Sequence, residues 1–266
     1  MKQRHVWQSW WMAGLLALTV VSGCASGTAG GTATPAAVPP DAPAVETAVA
    51  TPDLLTVDAE GNTSVEPAAL EAALASMPVS ELTEAEIAGL VWMREEEKLA
   101  RDVYLTLYEL WGQPVLQNIA NSEATHTEAV LTLLERYSIP DPADGNAVGV
   151  FTNTELQALY DALVKQGAES LVAALKVGAA VEEIDILDLE ERSAETEKTD
   201  ILTVYANLTK GSRNHLRSFV RTLERTSGEV YIPQYMSQKA YDAIVTGEIE
   251  RGGQSSSSGR RQGGRG

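Results

Sequence analysis

Four long stretches of this chain carry apolar residues at helical spacing, and proline lies at their joins rather than inside them. The first stretch begins after Thr83, which forms a capping-box pattern with Glu86, and ends before Gly112 and Pro114. The other predicted helices span residues 114–137, a shorter segment starting at 152–154, 170–191, 198–226 and finally 237–245. No segment reads as part of a sheet. The pattern therefore predicts an all-α fold, a four-helix bundle with short extra helices.

The N-terminal residues 1–24 are typical of a bacterial export signal. Lys2 and Arg4 precede an apolar run over residues 10–21, which is too short for a confident membrane span. Residues 21–24, Val-Ser-Gly-Cys, resemble a lipobox, in which Cys24 is acylated; an ordinary signal peptide with an incidental cysteine is the alternative. We therefore expect an exported protein, lipid-anchored to the cell envelope on the periplasmic side. By resemblance to Gram-negative lipoproteins, Ala25 favours the outer membrane.

Two further segments are predicted to be flexible. Residues 25–80 are rich in Ala, Thr and Pro, and residues 251–266 in Gly, Ser and Arg. Neither bears a sustained helical or strand period, so neither is expected to bury enough surface to offset its ordering entropy. We therefore predict a flexible tether over residues 25–80, a helical domain over residues 81–250 and a disordered tail over residues 251–266. Cys24 is the only cysteine, so no disulfide can stabilise the domain internally.

The charge balance excludes one class of partner. Without residues 1–24 the chain has 18 basic against 37 acidic residues, a net charge of −19, because only Lys2 and Arg4 are lost. Such a surface repels phosphate backbones, so nucleic-acid binding is not expected.

The chemistry that stands out lies on the apolar faces of the first two long helices. Glu97 interrupts an apolar stripe, although the run 95–98 could instead be a solvated charge cluster. Glu123 and His126 are three residues apart and so project from one helix face, a spacing that suits a metal site or a hydrogen-bonded core histidine.

The third and fourth long helices carry similar groups. Glu182 and Asp185 share a face, and Glu183 points about 100° away from Glu182. At least one of these three is expected to face solvent. His215 lies one turn after Gly211, and a glycine inside a helix indicates close packing or a bulge near that histidine. Each of the four helices thus offers a carboxylate or an imidazole near its middle, a nitrogen and oxygen set that suits iron or manganese.

Residues 81–247 resemble the ferritin-like superfamily and, more closely, the DUF2202 domains related to it. The resemblance rests on the segments 94–104, 123–126, 182–186, 211–216 and 231–235. Within the first, Glu97-x-x-Ala-Arg-x-x-Tyr104 is similar to the first iron-ligand helix of rubrerythrins. The resemblance implies metal ligands at Glu97, Glu123, His126, Glu182 or Glu183, and His215.

The chain departs from the ferritin-like pattern in two places. Ser212 stands three residues before His215, where a second Glu-x-x-His motif would have glutamate. Asp185 or the second glutamate of the third helix would then supply the missing oxygen, or the site would hold one metal, or it would have lost its redox role. The cysteine motif of rubrerythrins is also absent.

These residues predict an exported di-iron or di-manganese protein that acts in metal oxidation or storage, or in the removal of peroxide. Its partners would be metal ions and O₂ or peroxide. The alternative is a non-catalytic envelope interaction module whose bundle has lost or reduced its metal site. A lipid tether favours a small assembly, such as a homodimer, over a closed cage.

Overall fold

A computed structural model describes residues 52–58 and 61–251 of the 266-residue chain. The predicted all-α class is confirmed, since seven helices and only two short strands occur in this part. The predictions for residues 1–24, for residues 25–51 and for the tail after residue 251 lie outside the described residues.

The four long helices have nearly the predicted bounds. Their order along the chain, with the short helices and strands included, is β1 Leu55–Val57, β2 Thr63–Val65, α1 Pro67–Ala75, α2 Glu84–Trp111, α3 Pro114–Arg136, α4 Thr154–Gly167, α5 Leu171–Ala194, α6 Thr199–Ser227 and α7 Gln238–Val245. The predicted capping box is present at the start of α2, where Thr83 and Glu86 satisfy each other's backbone N–H groups. Gly112 and Gly228 end α2 and α6 in the left-handed conformation, with φ of 59° and 73°.

The long helices form a bundle of two closely packed pairs. Helix α2 packs along α3 and α5 along α6, and the pairs meet through α2 with α5 and α3 with α6. Side chains such as Leu90, Met93, Leu133 and Leu208 are fully buried in the apolar layer. A smaller buried polar region, which includes Glu97, His126 and His215, lies next to this layer along the same helices.

The prediction of a flexible tether over residues 25–80 is wrong for the residues described here. Strands β1 and β2 form an antiparallel hairpin with Leu55 opposite Val65, and α1 follows directly. Leu70 and Leu74 of α1 join the same apolar cluster as the hairpin. Strands of three residues are too short to display a period in the sequence, and their stability comes from burial against the bundle.

Backbone hydrogen bonds attach this hairpin to two of the long helices. The N–H of Leu54 donates to Asn207 Oδ1 on α6 at 2.9 Å. On the α3 side, the N–H of Val65 donates to Thr125 Oγ1 at 3.1 Å. The hairpin is therefore part of the folded unit, which starts well before residue 81.

Among the described residues, none of the helices combines the length and the apolar character that a membrane span requires.

Candidate metal centre

The middle of the bundle contains a buried group of carboxylates and imidazoles. Helix α2 contributes Glu97, α5 contributes Glu182 and Asp185, and the remaining members come from α3 and α6. The side chains of the group are at most 4% exposed: Glu97, Glu123, His126, Glu182, Asp185 and His215. These are the six residues that the sequence singles out most strongly, and none of them faces solvent.

Glu123 lies between the two imidazoles. Its Oε2 is 2.9 Å from His126 Nδ1, and its Oε1 is 2.7 Å from His215 Nδ1. The two rings are stacked, with centroids 5.3 Å apart and planes inclined by 20°. Each oxygen of one carboxylate thus faces a different histidine, and a ligand atom from each of the three residues lies within 4.8 Å of the others.

A second carboxylate approaches each imidazole from another helix. Glu97 Oε2 of α2 is 3.5 Å from His126 Nδ1, and Glu182 Oε2 of α5 is 3.6 Å from His215 Nδ1. The centre is therefore nearly symmetric about Glu123. Each Nδ1 atom meets the shared carboxylate and one carboxylate of its own.

Several of these atoms have no hydrogen-bond partner among the described residues, although they are fully buried. They are Glu97 Oε1 and Oε2, Glu123 Oε2, His126 Nδ1, Asp185 Oδ1 and His215 Nδ1. The Nδ1 atoms of His126 and His215 are thus close to Glu123, but the angles at these contacts do not suit hydrogen bonds. Buried polar atoms without partners are costly, and a cation among them would satisfy several at once. This nitrogen and oxygen donor set fits a metal ion, and Glu123, His126 and His215 lie close enough together to hold one.

Burial disfavours the charged forms of the outer carboxylates. Burial raises the pKa of Glu97 to about 7 and the pKa of Glu182 to about 7, and the Glu123 carboxylate adds to both shifts. Burial and the surrounding carboxylates also raise the pKa of Asp185 well above its usual range. A bound cation would displace these protons.

The pKa values of Glu123, His126 and His215 shift in the direction opposite to the effect of burial. Burial alone would raise the pKa of Glu123, but His126 and His215 hold it well below its usual range. Burial alone would lower the pKa of His215, but Glu123 and Glu182 raise it to about 9. The pKa of His126 is likewise raised well above its usual value by Glu123 and Glu97 against the effect of burial. In the metal-free protein, Glu123 is the ionised carboxylate between two imidazoles that favour protonation.

Helix α5 differs from the prediction that one of its acidic residues faces solvent. Glu182, Glu183 and Asp185 are all buried. Tyr104 donates a hydrogen bond to Glu182 Oε1 at 2.6 Å, which holds the other oxygen towards His215. The structure thus places both Glu182 and Asp185 inside the bundle.

Ser212 has a defined role although it is a poor metal ligand. Its hydroxyl hydrogen-bonds Asp185 Oδ2, while Asp185 Oδ1 has no partner among the described residues. The serine that replaces the expected glutamate of α6 therefore holds an aspartate of α5. Asp185 is therefore a further buried carboxylate beside Glu97, Glu123 and Glu182.

Glu183 is occupied elsewhere. Its carboxylate accepts hydrogen bonds from the hydroxyl of Tyr231 at 2.6 Å and from the backbone N–H groups of Gln234, Tyr235 and Met236 at 2.7 to 3.0 Å. These bonds fasten the loop between α6 and α7 to the bundle. Of the two glutamates considered for α5, only Glu182 faces the histidines.

A Glu183→Gln variant should separate this structural role from metal ligation. The amide can accept through only one atom, so several charge-assisted hydrogen bonds are lost, and we expect the free energy of unfolding to fall by about 2–4 kcal/mol. Urea denaturation measures this change, with Glu190→Gln on the exposed side of α5 as control. The folded variant should bind as much metal as the wild type, and a selective loss of metal would instead make Glu183 a ligand.

The alternative that residues 95–98 form a solvated charge cluster is wrong. All four side chains are buried. Glu95 accepts the backbone N–H of Asn153 at 2.9 Å, and Lys98 pairs with Asp102 at 2.5 Å. Lys98 Nζ also donates to Ala147 O at 2.9 Å, so Glu95 and Lys98 hold the segment before α4. Of the four charged side chains, only Glu97 approaches a histidine of the centre.

Sequence reasoning missed Thr63 entirely. Its side-chain oxygen lies 3.0 Å from His126 Nε2 and 2.8 Å from His215 Nε2. No local signal could have found it, since a threonine in an Ala/Thr/Pro-rich segment looks like its neighbours. Gly211 is also placed differently from the expectation, because it packs closely against His126 rather than against His215.

The chain is similar to proteins without an assigned activity. The family model for an uncharacterised protein domain, DUF2202, matches residues 86–248. The uncharacterised protein MJ0754 of Methanocaldococcus jannaschii is 51% identical over 179 residues, which are 67% of this chain and 96% of that protein. A crystal structure of the hypothetical protein MJ0754 from Methanococcus jannaschii, with 51% identity, gives a TM-score of 0.64 over 66% of this chain and 99% of that one.

Proposed function

The chain belongs to the DUF2202 family, and we propose that the buried centre of this member binds two iron or manganese ions that share Glu123. The observation that carries this proposal is the position of Glu123, whose two oxygens face the Nδ1 atoms of two different histidines. The same three residues place one ligand atom each within 4.8 Å of one another, so a single ion is the competing arrangement, and the number of ions per chain distinguishes the two.

The other carboxylates divide between the two halves of the centre. Glu97 belongs with His126, and Glu182 belongs with His215. Asp185, held by Ser212, supplies the further oxygen that the α6 motif lacks. This division of ligands over four helices also supports the resemblance to ferritin-like proteins.

Metal oxidation is the activity that this centre supports best. Iron or manganese held there would supply electrons to O₂ or peroxide. The protein's own residues bury the ligands, hold Glu182 through Tyr104, and give up protons from Glu97 and Glu182 as a cation enters. Because the chain has no cysteine beyond Cys24, it carries no rubredoxin-type electron donor, so an oxidation in which Fe(II) is itself the donor is favoured over repeated peroxide turnover.

Metal loading tests the proposal directly. The purified chain is incubated with Fe(II) or Mn(II) without oxygen and desalted, and the metal is measured against protein by mass spectrometry. We expect about two ions per chain. Metal at about 100 times its dissociation constant should also raise the melting temperature by about 5–10 °C, because it binds only the folded state.

Less than about half an ion per chain, with an unchanged melting temperature, would contradict the proposal. The polar groups of the core would then be paired for structural reasons alone. A non-catalytic interaction module would become the better description of the bundle.

A further inference from the structure

The hairpin brings one hydroxyl into contact with both histidines of the centre. Thr63 on β2 is 4% exposed, and its Oγ1 lies within hydrogen-bonding distance of both Nε2 atoms. These are the ring nitrogens that face away from the carboxylates. The Thr63 hydroxyl thus contacts both imidazoles on the side opposite Glu123.

The hydrogen-bonding capacity of a hydroxyl limits how this contact can work. A threonine hydroxyl has one proton to donate and can accept two hydrogen bonds. If it donated to either Nε2, that neutral imidazole would carry its proton on Nδ1, and the nitrogen next to Glu123 could not bind a metal. Only when the hydroxyl accepts from both rings are both Nδ1 lone pairs available to a metal at the same time.

We propose that Thr63 is a positioning residue whose hydroxyl accepts the Nε2–H of both His126 and His215 and so keeps both Nδ1 atoms turned towards the carboxylates. This inference rests on the proposed metal site and adds a determinant to it. Metal-binding histidines commonly donate their second ring N–H to a fixed acceptor, and here one acceptor serves two of them.

The surroundings of Thr63 are built to hold it in this place. Its own backbone N–H donates to Ser122 Oγ at 3.0 Å. Gly211 of α6 leaves the room that the His126 ring and the threonine hydroxyl occupy, since a Cβ there would lie 3.3 Å from Thr63 Oγ1.

Thr63 lies outside the residues that the family model matches. The family model begins at residue 86, whereas Thr63 belongs to the hairpin that precedes α1. The hairpin thus completes a site whose carboxylates and imidazoles all come from the matched residues.

The test compares Thr63→Val with Thr63→Ser. Valine keeps the shape but removes the acceptor, so the affinity for Fe(II) or Mn(II) should fall by about 10- to 100-fold, while serine should keep it within about threefold. Thr125→Val loosens the attachment of the hairpin without touching either imidazole, and it should also stay within about threefold of the wild type. Equal losses in Thr63→Val and Thr125→Val would show that only the attachment of the hairpin matters, and would overturn the proposal.

A second measurement does not depend on metal. Proton–nitrogen NMR of the metal-free chain, assigned with His126→Gln and His215→Gln, should show slowly exchanging Nε2–H signals from both histidines. The signals should persist in Thr63→Ser and exchange faster in Thr63→Val. A single Nε2–H signal in the wild type would mean that Thr63 donates to the other ring, and the inference would be wrong.

The two measurements separate the inference from the function proposed above. If the wild type binds no metal but shows both Nε2–H signals, the metal site is refuted while the arrangement of the imidazoles stands. If the wild type binds metal and Thr63→Val binds it equally well, the metal site stands and the role of Thr63 is refuted.

Discussion

A Glu123→Gln chain should retain almost no iron or manganese at metal concentrations that saturate the wild type. Glu123 is the carboxylate that both histidines share, and each of its oxygens faces one Nδ1 atom. The amide has one oxygen, carries no charge and turns an NH₂ group towards one of the two imidazoles. We expect both ions to be lost together, with an affinity at least about 100-fold weaker.

The outer carboxylates should behave differently, and this contrast is the stronger part of the prediction. Glu97 approaches only His126, and Glu182 approaches only His215. Glu97→Gln and Glu182→Gln should therefore each leave about one ion per chain. Glu135→Gln, at an exposed position of the same helix as Glu123, serves as the matched control.

Metal content after loading and desalting, together with isothermal titration, measures these changes. Circular dichroism establishes that each variant is folded, which matters because a buried carboxylate is being neutralised. Two ions in Glu123→Gln at unchanged affinity would contradict the shared position of this residue. Equal losses in all three variants would instead indicate one ion that depends on every carboxylate.

The helices could be predicted because the signals that define them are local. The capping box at Thr83 and the glycine at residue 112 act within one turn of the helix ends that they determine. The histidines and their carboxylates could also be recognised, because a polar residue on an apolar helix face must find a partner inside the bundle. Spacing along a helix then indicated which of these residues share a face.

What could not be predicted depends on contacts between distant parts of the chain. Thr63 meets His215 across 152 residues, and nothing near it in the sequence distinguishes it from other threonines. The difference between Glu182 and Glu183 is of the same kind. Both are buried, but only the loop after α6, with Tyr231, determines that Glu183 is a structural acceptor. A sequence period predicts the face of a helix and not the element that covers it.

Ser212, which stands where a Glu-x-x-His motif would have glutamate, also makes a contact that the sequence does not reveal. By sequence, serine at this position removes a ligand. In the structure its hydroxyl hydrogen-bonds Asp185 Oδ2 on the neighbouring helix, while Asp185 Oδ1 has no partner in the part of the chain that the structure describes. If Asp185 is a ligand, as we propose, the carboxylate that the α6 motif lacks comes from α5 instead.

Gly211→Ala should lower both stability and metal binding, against the usual effect of this substitution. Alanine in a helix is ordinarily favoured over glycine by about 1 kcal/mol. Here its Cβ would lie 2.5 Å from Cε1 and 2.8 Å from Nε2 of His126, too close for any side-chain contact. Because His126 is also confined by Thr63 and Glu123, its ring has little room to withdraw.

We therefore expect the free energy of unfolding of the metal-free chain to fall by about 1–3 kcal/mol, and the metal affinity to fall at least about tenfold. Gly89→Ala on α2 is the matched control, since its Cβ would meet only the flexible side chain of Arg192 at 3.2 Å, apart from the Tyr205 hydroxyl at 3.8 Å. That variant should be neutral or stabilised by up to about 1 kcal/mol and should bind metal normally. A Gly211→Ala chain that is as stable as the wild type and holds the same metal would show that His126 can move without consequence, and its fixed position would then not be what defines the centre.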